Sequence, residues 1–433
     1  MKKIVFIALA CVALSGICAH AANEKHVILI TIDGFRPDFY LEKEWQTPNL
    51  HKMVSEGASA YGVNSVFPSI TYPSHTTIVT GVQPASHGVF YNGMFEPDSV
   101  SGKIYWDFSQ ITAPTLWQTA KDAGLRVTSL NWPVSAEAPV LFNIPDIGGR
   151  SNLVAQYAYP EGIIDTLKNE LFHTADLPDL GKDQNSARIA AWAIGRYRPN
   201  FMTIHLFSVD HFEHMAGRHG SVVERAIEDA DESVGIIRKA IRDAGIEDST
   251  LLIVTGDHGF GDVSVSVQPN VWLAKAGLLE NPNGKWKARF HAAGGSAFLF
   301  LKDKRDTKTL SRVKALLAGL SPDEKRYLRE ITPVEMKKIG ADPNASFALS
   351  ALNGASFGNG YKGEAINSGK GGTHGYYPDF REIQTGFLCV GHGVKEAATI
   401  QEMNLRDITA IVLKYLDLQM PSSQGEVPSG LFE

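Results

Sequence analysis

Cysteine is almost missing from this chain. Only three occur in 433 residues, and two of them, Cys11 and Cys18, fall within the first 21. The third, Cys389, sits in the apolar run Thr385-Gly386-Phe387-Leu388-Cys389-Val390 and reads as a small buried residue of a core strand, not as a nucleophile. A chain trimmed of its first 21 residues therefore has no intramolecular disulfide. Its stability must come from a hydrophobic core and from any metals it holds. Excess positive charge is missing too: the formal net charge is −6, and no basic stripe stands out. That argues against binding of nucleic-acid polymers. Long apolar runs are absent apart from Ile4 to Ile17, which follows Lys2-Lys3 and precedes Cys18-Ala19-His20-Ala21. This run is too short and wrongly flanked for a membrane helix. It reads as a secretory leader ending in an Ala-x-Ala cleavage site, and Ile17 before Cys18 argues against a lipoprotein signal. The expectation is a signal peptide over 1–21, export to the periplasm or beyond, and one large domain over 22–433. There is no internal repeat or low-complexity tract, and nothing fixes the oligomeric state.

Three short apolar runs rich in β-branched residues read as strands buried on both faces: His26–Ile32, Phe201–Phe207 and Leu251–Thr255. Each is followed within a few residues by an aspartate, respectively Asp33, Asp210 and Asp257. Ligands of open α/β sheets bind beyond the carboxyl ends of the strands, so three acidic groups are expected in one crevice. Taken alone, Asp33-Gly34 is a turn, and Asp257-His258-Gly259 serves equally as a loop. Asp210 and His214 stand at i and i+4, so on a helical turn they face one way and can chelate one ion. A solvated helix start is the bland alternative. His374, in Gly372-Thr373-His374-Gly375, adds a third imidazole. The set of three carboxylates, three imidazoles and a hydroxyl is the inventory of a two-metal hydrolytic site.

The hydroxyl is that of Thr71. The segment from Phe67 to Gly81 reads as a loop feeding a helix over 74–80, with Pro73 in the first turn and Gly81 at the end. Thr71 then lies at or just before a helix N-terminus, where backbone N–H groups and the macrodipole favour anions. It is either a nucleophile or simply an N-cap. Asn92, before Gly93, is either a donor to a phosphate oxygen or part of an Asn-Gly turn.

The segments ITIDGFRPDF, FPSITYPSHTTIVTG, SHGVFYN, VDHFEHMAG, VTGDHGF and GGTHGY, in that order, resemble the nucleotide pyrophosphatase/phosphodiesterase family of the alkaline phosphatase superfamily. The resemblance implies an alkaline-phosphatase-like α/β fold with a central, mostly parallel sheet flanked by helices. It implies two Zn²⁺ per chain, with Mn²⁺ or Fe as alternatives. Asp33, Asp257 and His258 would hold one ion, with Thr71 as its substrate-side ligand; Asp210, His214 and His374 would hold the other. Thr71 would attack phosphorus and form a covalent intermediate. Asn92, with the N–H of Tyr72, would stabilise the transferred group. Tyr72 would stack on a nucleobase, Trp132 would line the pocket, and Tyr157 or Tyr159 would supply a second ring. The substrate would be a small phosphodiester or nucleotide. The chain lacks the C/S-x-P-x-R signature of the related sulfatases.

Two positions depart from the family pattern. Ser74 stands where Asn is common, and His205 stands where an aromatic precedes the first Asp of the Asp-x-x-x-His pair. The remaining histidines are assigned more cautiously: His75 and His87 read as supporting or core residues, while His211 and His219 are alternative ligands. Spacing further predicts helices over 47–56, 115–123, 185–197, 221–243 and 405–416, and an inserted α+β cap over about 265–370. Within that cap a strand is expected over 296–301 and a helix over 306–319. The glycine-rich stretch 353–360 reads as a surface loop, and 421–425 as a loose tail. Competing functions on the same metals are a phosphomonoesterase and a phosphonate or lipid-headgroup hydrolase. No Lys or Arg closely follows Thr71, which favours a diester. A non-catalytic module that binds phosphorylated glycans fits poorly with a nucleophile beside a full ligand set.

Overall fold

The computed structural model describes residues 24–148 and 151–433, so the expected leader over 1–21 lies outside the described residues. Among the described residues, no helix is long and apolar enough to cross a membrane. The main sheet has eight strands in the order Ala398–Ile400, Ala58–Ala60, Phe387–Gly391, Thr250–Thr255, His26–Ile32, Phe201–Leu206, Val127–Leu130, Phe142–Ile144. The last five run parallel, and Phe387–Gly391 runs antiparallel to both neighbours.

The near-continuous apolar strands follow from helices on both faces. Ile28, Ile30 and Ile32 enter one core with Met202, Ile204 and Val254, while Val27, Leu29, Leu251 and Ile253 enter another on the opposite face. Helices Pro48–Glu56, Asp183–Tyr197, Ser208–Ala216 and Ser221–Asp243 cover the first face. On the longest of these, Val223, Ala226, Ile227, Ala230, Val234, Ile237 and Ile241 form one buried stripe at helical spacing. Helices Thr71–Thr80, Leu116–Asp122 and Leu405–Tyr415 cover the second face.

Strands Ala288–Ala293, Ser296–Leu301, Phe347–Ala351 and Leu328–Ile331 form a separate antiparallel sheet, in that order. Its own core includes Phe298, Leu299, Val313 and Leu317, together with Phe67 and Ile70 from the segment leading into Thr71. This third core therefore buttresses the start of the helix that carries the hydroxyl. The helix expected over 306–319 occupies Thr307–Ala318 and is capped by the Asp306 side chain, which accepts from the N–H of Thr309.

Two expectations fail. The glycine-rich stretch is not merely a loop: Ala355–Phe357 is a strand, parallel to Val265–Val267, with Ala355 and Phe357 buried. The chain end is not loose either. Gln424 N–H donates to the Gly81 carbonyl at 2.8 Å, Glu426 N–H donates to Asp407 at 3.0 Å, and Leu431 is buried. A run of small polar residues looked like a tail because those tertiary bonds leave no local signature.

One buried charge pair fastens the helix Ser208–Ala216 to the loop after the first strand. The fully buried Arg36 places Nε 2.7 Å from Glu213 and Nη1 2.8 Å from Asp38, and its Nη2 donates to the Arg218 carbonyl at 2.7 Å. Gly34 makes this approach possible, because a Cβ there would lie 2.7 Å from Glu213 Oε2 and φ is +73°. Arg36→Met leaves Glu213 buried without its partner. It is expected to lower stability by about 3–5 kcal/mol, and Arg36→Met/Glu213→Leu to recover most of that loss. Urea unfolding of the three proteins checks this.

Candidate metal centre

Strand register brings the carboxylates together. Thr31 pairs with His205 on one side and with Thr255 on the other, so three neighbouring parallel strands end at the same edge of the sheet. Asp33 follows one strand directly, and Asp257 lies two residues past its neighbour. Asp210 sits in the first turn of the helix Ser208–Ala216, which follows the third. One turn later on that helix comes His214. His374 follows the short strand Gly372–Thr373, which pairs with Gly261–Asp262 just beyond His258.

These six residues form two groups. Asp33, Asp257 and His258 each offer a ligand atom within 4.8 Å of the others, and so do Asp210, His214 and His374. In the first group His258 Nε2 lies 3.3 Å from Asp33 Oδ1 and 3.1 Å from Asp257 Oδ2. In the second, Asp210 Oδ1 lies 3.4 Å from both His214 Nε2 and His374 Nε2. The rings of His258 and His374 stack at 3.7 Å, joining the two groups. Each imidazole has its Nδ1 against a backbone carbonyl: His258 on Gly259 at 3.2 Å, His214 on Gly372 at 3.0 Å and His374 on Ser69 at 3.2 Å. A carbonyl only accepts, so Nδ1 holds the hydrogen and Nε2 presents a lone pair to the site.

The titration of these groups reflects their crowding. Burial, then the Asp257 and Asp210 carboxylates, pushes Asp33 well above the ordinary carboxyl range. Burial likewise raises Asp210. At Asp257 burial acts the same way, but His258, His75 and His205 outweigh it and hold the group low. Burial, helped by His258 and His214, pushes His374 well below the ordinary imidazole range.

Thr71 is the first residue of its helix. Ile70 occupies the N-cap and gives no side-chain cap, so Thr71 is not an N-cap. The amides of that first turn are mostly committed. Tyr72 N–H donates to Asn92 Oδ1 at 2.9 Å, Pro73 has no N–H, and Ser74 N–H donates to the Ile70 carbonyl at 3.2 Å. The Tyr72 amide expected to serve a phosphate oxygen is therefore engaged. The same bond fixes the Asn92 amide with its oxygen toward the helix and its NH₂ turned away.

The other expected residues are placed differently. Tyr72 is buried, and its hydroxyl donates to Asp146 at 2.8 Å. Trp132 has no exposed surface and meets the His75 ring edge-on at 4.8 Å. Tyr159 is 56% exposed and pairs through its backbone with Asn143, while Tyr157 packs on Trp106. Sequence reasoning gave His75 a supporting or core role but did not join it to Thr31 and His205, with which it forms a cluster behind the carboxylates. Its signal was available, as two polar residues facing each other in register on buried strands. His75 is pushed down to about 4, chiefly by burial, and is neutral at pH 7.

Asp33 Oδ1, Asp210 Oδ1, Asp257 Oδ2 and His258 Nε2 are all buried with no hydrogen-bond partner. Converging buried carboxylate and imidazole atoms left without hydrogen-bond partners fit divalent cations, and mixed carboxylate and imidazole ligation suits zinc.

Residues 27–377 match the model of the type I phosphodiesterase / nucleotide pyrophosphatase family. The chain is 24% identical to rat (Rattus norvegicus) ectonucleotide pyrophosphatase/phosphodiesterase family member 3, over 94% of this chain and 44% of that protein. It is 22% identical to venom phosphodiesterase 2 of Crotalus adamanteus, over 94% of this chain and 47% of that protein. The chain thus spans about half the length of these curated relatives. Murine ectonucleotide pyrophosphatase/phosphodiesterase 5 matches its fold with a TM-score of 0.68 at 22% identity, covering 94% of this chain and 98% of that one. The same murine protein is also known as an inactive threonine-to-alanine variant in complex with AMP.

Chelation is expected to destabilise the protein, because the carboxylates then face one another without counter-charge. At a thousandfold excess of Zn²⁺ over its dissociation constant, about 4 kcal/mol of stability should return. Thermal melts with EDTA and then with added Zn²⁺ read this out; unchanged melting temperatures would remove the metal assignment.

Proposed function

The chain belongs to the type I phosphodiesterase / nucleotide pyrophosphatase family, and from that premise we propose that it hydrolyses phosphodiester or pyrophosphate bonds of nucleotides or related small molecules through a covalent threonyl intermediate. The observation that carries this reading is that Thr71 begins a buried helix tied to both three-residue groups: His374 Nδ1 lies 3.2 Å from the Ser69 carbonyl just before it, and His75, bonded to the Thr71 carbonyl, lies 3.7 Å from Asp257. The inactive threonine-to-alanine relative with AMP supports both the nucleophile and a nucleotide substrate.

Asp33, Asp257 and His258 would hold one zinc and Asp210, His214 and His374 the other. When bound, such ions supply Lewis acidity that lowers the pKa of a hydroxyl and offsets charge on a phosphoryl group. The protein's own groups do the positioning. Thr71 Oγ attacks phosphorus in line, its bond to phosphorus forms, and the bond to the leaving oxygen breaks. Water then cleaves the threonyl ester, and Thr71 regains its proton. The Asn92 NH₂ donates to a non-bridging oxygen as charge develops there. Its own carbonyl is held by the Tyr72 N–H, so the donor is oriented before substrate arrives. No Lys or Arg follows Thr71 closely in sequence, which favours a phosphorus already carrying one ester over a fully charged monoester. We assign residues 265–370 as the cap that shapes leaving-group preference, and 1–21 as the export leader.

Thr71→Ala is expected to keep its metals and lose activity by about a thousandfold or more. Elemental analysis beside hydrolysis of the p-nitrophenyl ester of thymidine 5′-monophosphate tests it, and near-native turnover would sink the nucleophile. Run beside p-nitrophenyl phosphate, the same assay should show a strong diester preference. A monoester preference would overturn the substrate class.

A further inference from the structure

Asp183 belongs to neither ligand group, yet it is buried at the start of the helix Asp183–Tyr197 with its carboxylate against the helix Ser208–Ala216. Its Oδ1 accepts from the Phe207 N–H at 2.9 Å and from the Ser208 N–H at 3.3 Å, and its Oδ2 accepts from the Ser208 hydroxyl. Phe207 is the N-cap of that second helix and makes no side-chain cap. A phenyl ring has nothing with which to accept from the amides of a first turn. The cap is therefore supplied by a carboxylate 24 residues upstream in the chain, where the helix dipole favours negative charge.

The helix carries another group able to take that place. Asp210 is its third residue. From that position a carboxylate reaches back to the N–H of the N-cap residue, as in a capping box. This chain does so elsewhere. In the helix Leu405–Tyr415 the third residue is Asp407, which accepts from the N–H of the N-cap Asn404 at 2.7 Å.

At Ser208–Ala216 the corresponding amide is that of Phe207, and Asp183 holds it. Asp210 turns forward instead. Its Oδ1 lies 3.4 Å from Nε2 of both His214 and His374 and has no hydrogen-bond partner. The side chain is short, so it reaches forward to His214 or back to its own N-cap amide, not both.

We propose that Asp183 is a positioning residue for the ion held by Asp210, His214 and His374. By occupying the Phe207 and Ser208 amides it removes the partner that would draw Asp210 back onto its own helix. The proposal rests on the two-metal reading above. A cap that only stabilised the fold would leave metal affinity alone. A cap that competes with Asp210 sets the affinity of this group and leaves that of Asp33, Asp257 and His258 unchanged.

The test is zinc retention by the full-length, zinc-loaded protein against chelators of graded strength, with bound zinc counted by elemental analysis. The native chain should hold two equivalents. Asp183→Ala should hold one of them about 10- to 100-fold more weakly and the other at native affinity, with matching circular dichroism. In its crystal structure Asp210 should be turned back to the Phe207 N–H. Asp183→Asn removes the charge but keeps an oxygen for the two amides and an NH₂ for the Ser208 hydroxyl. It should fall between Asp183→Ala and the native chain. Native affinity for both ions in the two variants, or in Asp183→Asn alone where Asp183→Ala does not fold, would overturn the role. So would a loss shared equally by both ions. Fewer than two equivalents in the native chain would overturn the two-metal reading and this role with it.

Discussion

Mutual repulsion among carboxylates buried at one edge of a parallel sheet is the constraint around which this molecule is arranged. Asp33, Asp210 and Asp257 follow three adjacent strands whose register leaves them no room to separate. Nearby anions out of bulk water repel strongly, so such a cluster persists only with compensating positive charge. The imidazoles of His214, His258 and His374 each keep a hydrogen on a backbone carbonyl through Nδ1, which turns Nε2 toward the carboxylates. A site that crowds buried carboxylates raises their affinity for protons and for cations alike.

That requirement shapes the surroundings. The two central cores hold the strands rigid from both faces, so the carboxylates cannot relax apart. The third core, built on a separate sheet, grips Phe67 and Ile70 and so fixes where Thr71 begins its helix. Arg36 meets Glu213, which lies between Asp210 and His214 in the chain, and holds that helix turn against the first loop. A buried pair of this kind adds little net stability but fixes one arrangement, and here it is that of Asp210 and His214, two of the candidate ligands.

Much of this was legible in the sequence because it is local. An apolar β-branched run ending in Asp announces a strand end, and Asp210 with His214 announces a shared helix face. The apolar repeat of 306–319 gave its helix to within a residue at each end. What escaped depends on partners distant in the chain. The engagement of the Tyr72 amide needs Asn92, twenty residues on. The docking of 424–431 needs Gly81, Lys395 and Asp407. His205 registered only as a departure from an expected aromatic, since nothing in its neighbours reveals that Thr31 and His75 surround it.

The departure at 205 and the commitment of the Thr71 amides bear on the same question, how this centre handles phosphoryl charge. A helix N-terminus with several free N–H groups would receive a phosphate oxygen directly. Here Asn92 takes one of those groups, proline removes another, and Ser74 turns its own back to Ile70. In the proposed reaction, stabilisation would then fall to the Asn92 amide and to cations beside the carboxylates. Behind Asp33 stands the imidazole of His205 in place of an aromatic ring, its Nε2 3.3 Å from Asp33 Oδ2. It meets His75, which is bonded in turn to the Thr71 carbonyl, so the carboxylate edge and the helix start share one buried scaffold. The helix start and the carboxylate cluster are thus positioned more by side-chain contacts than by free backbone dipoles.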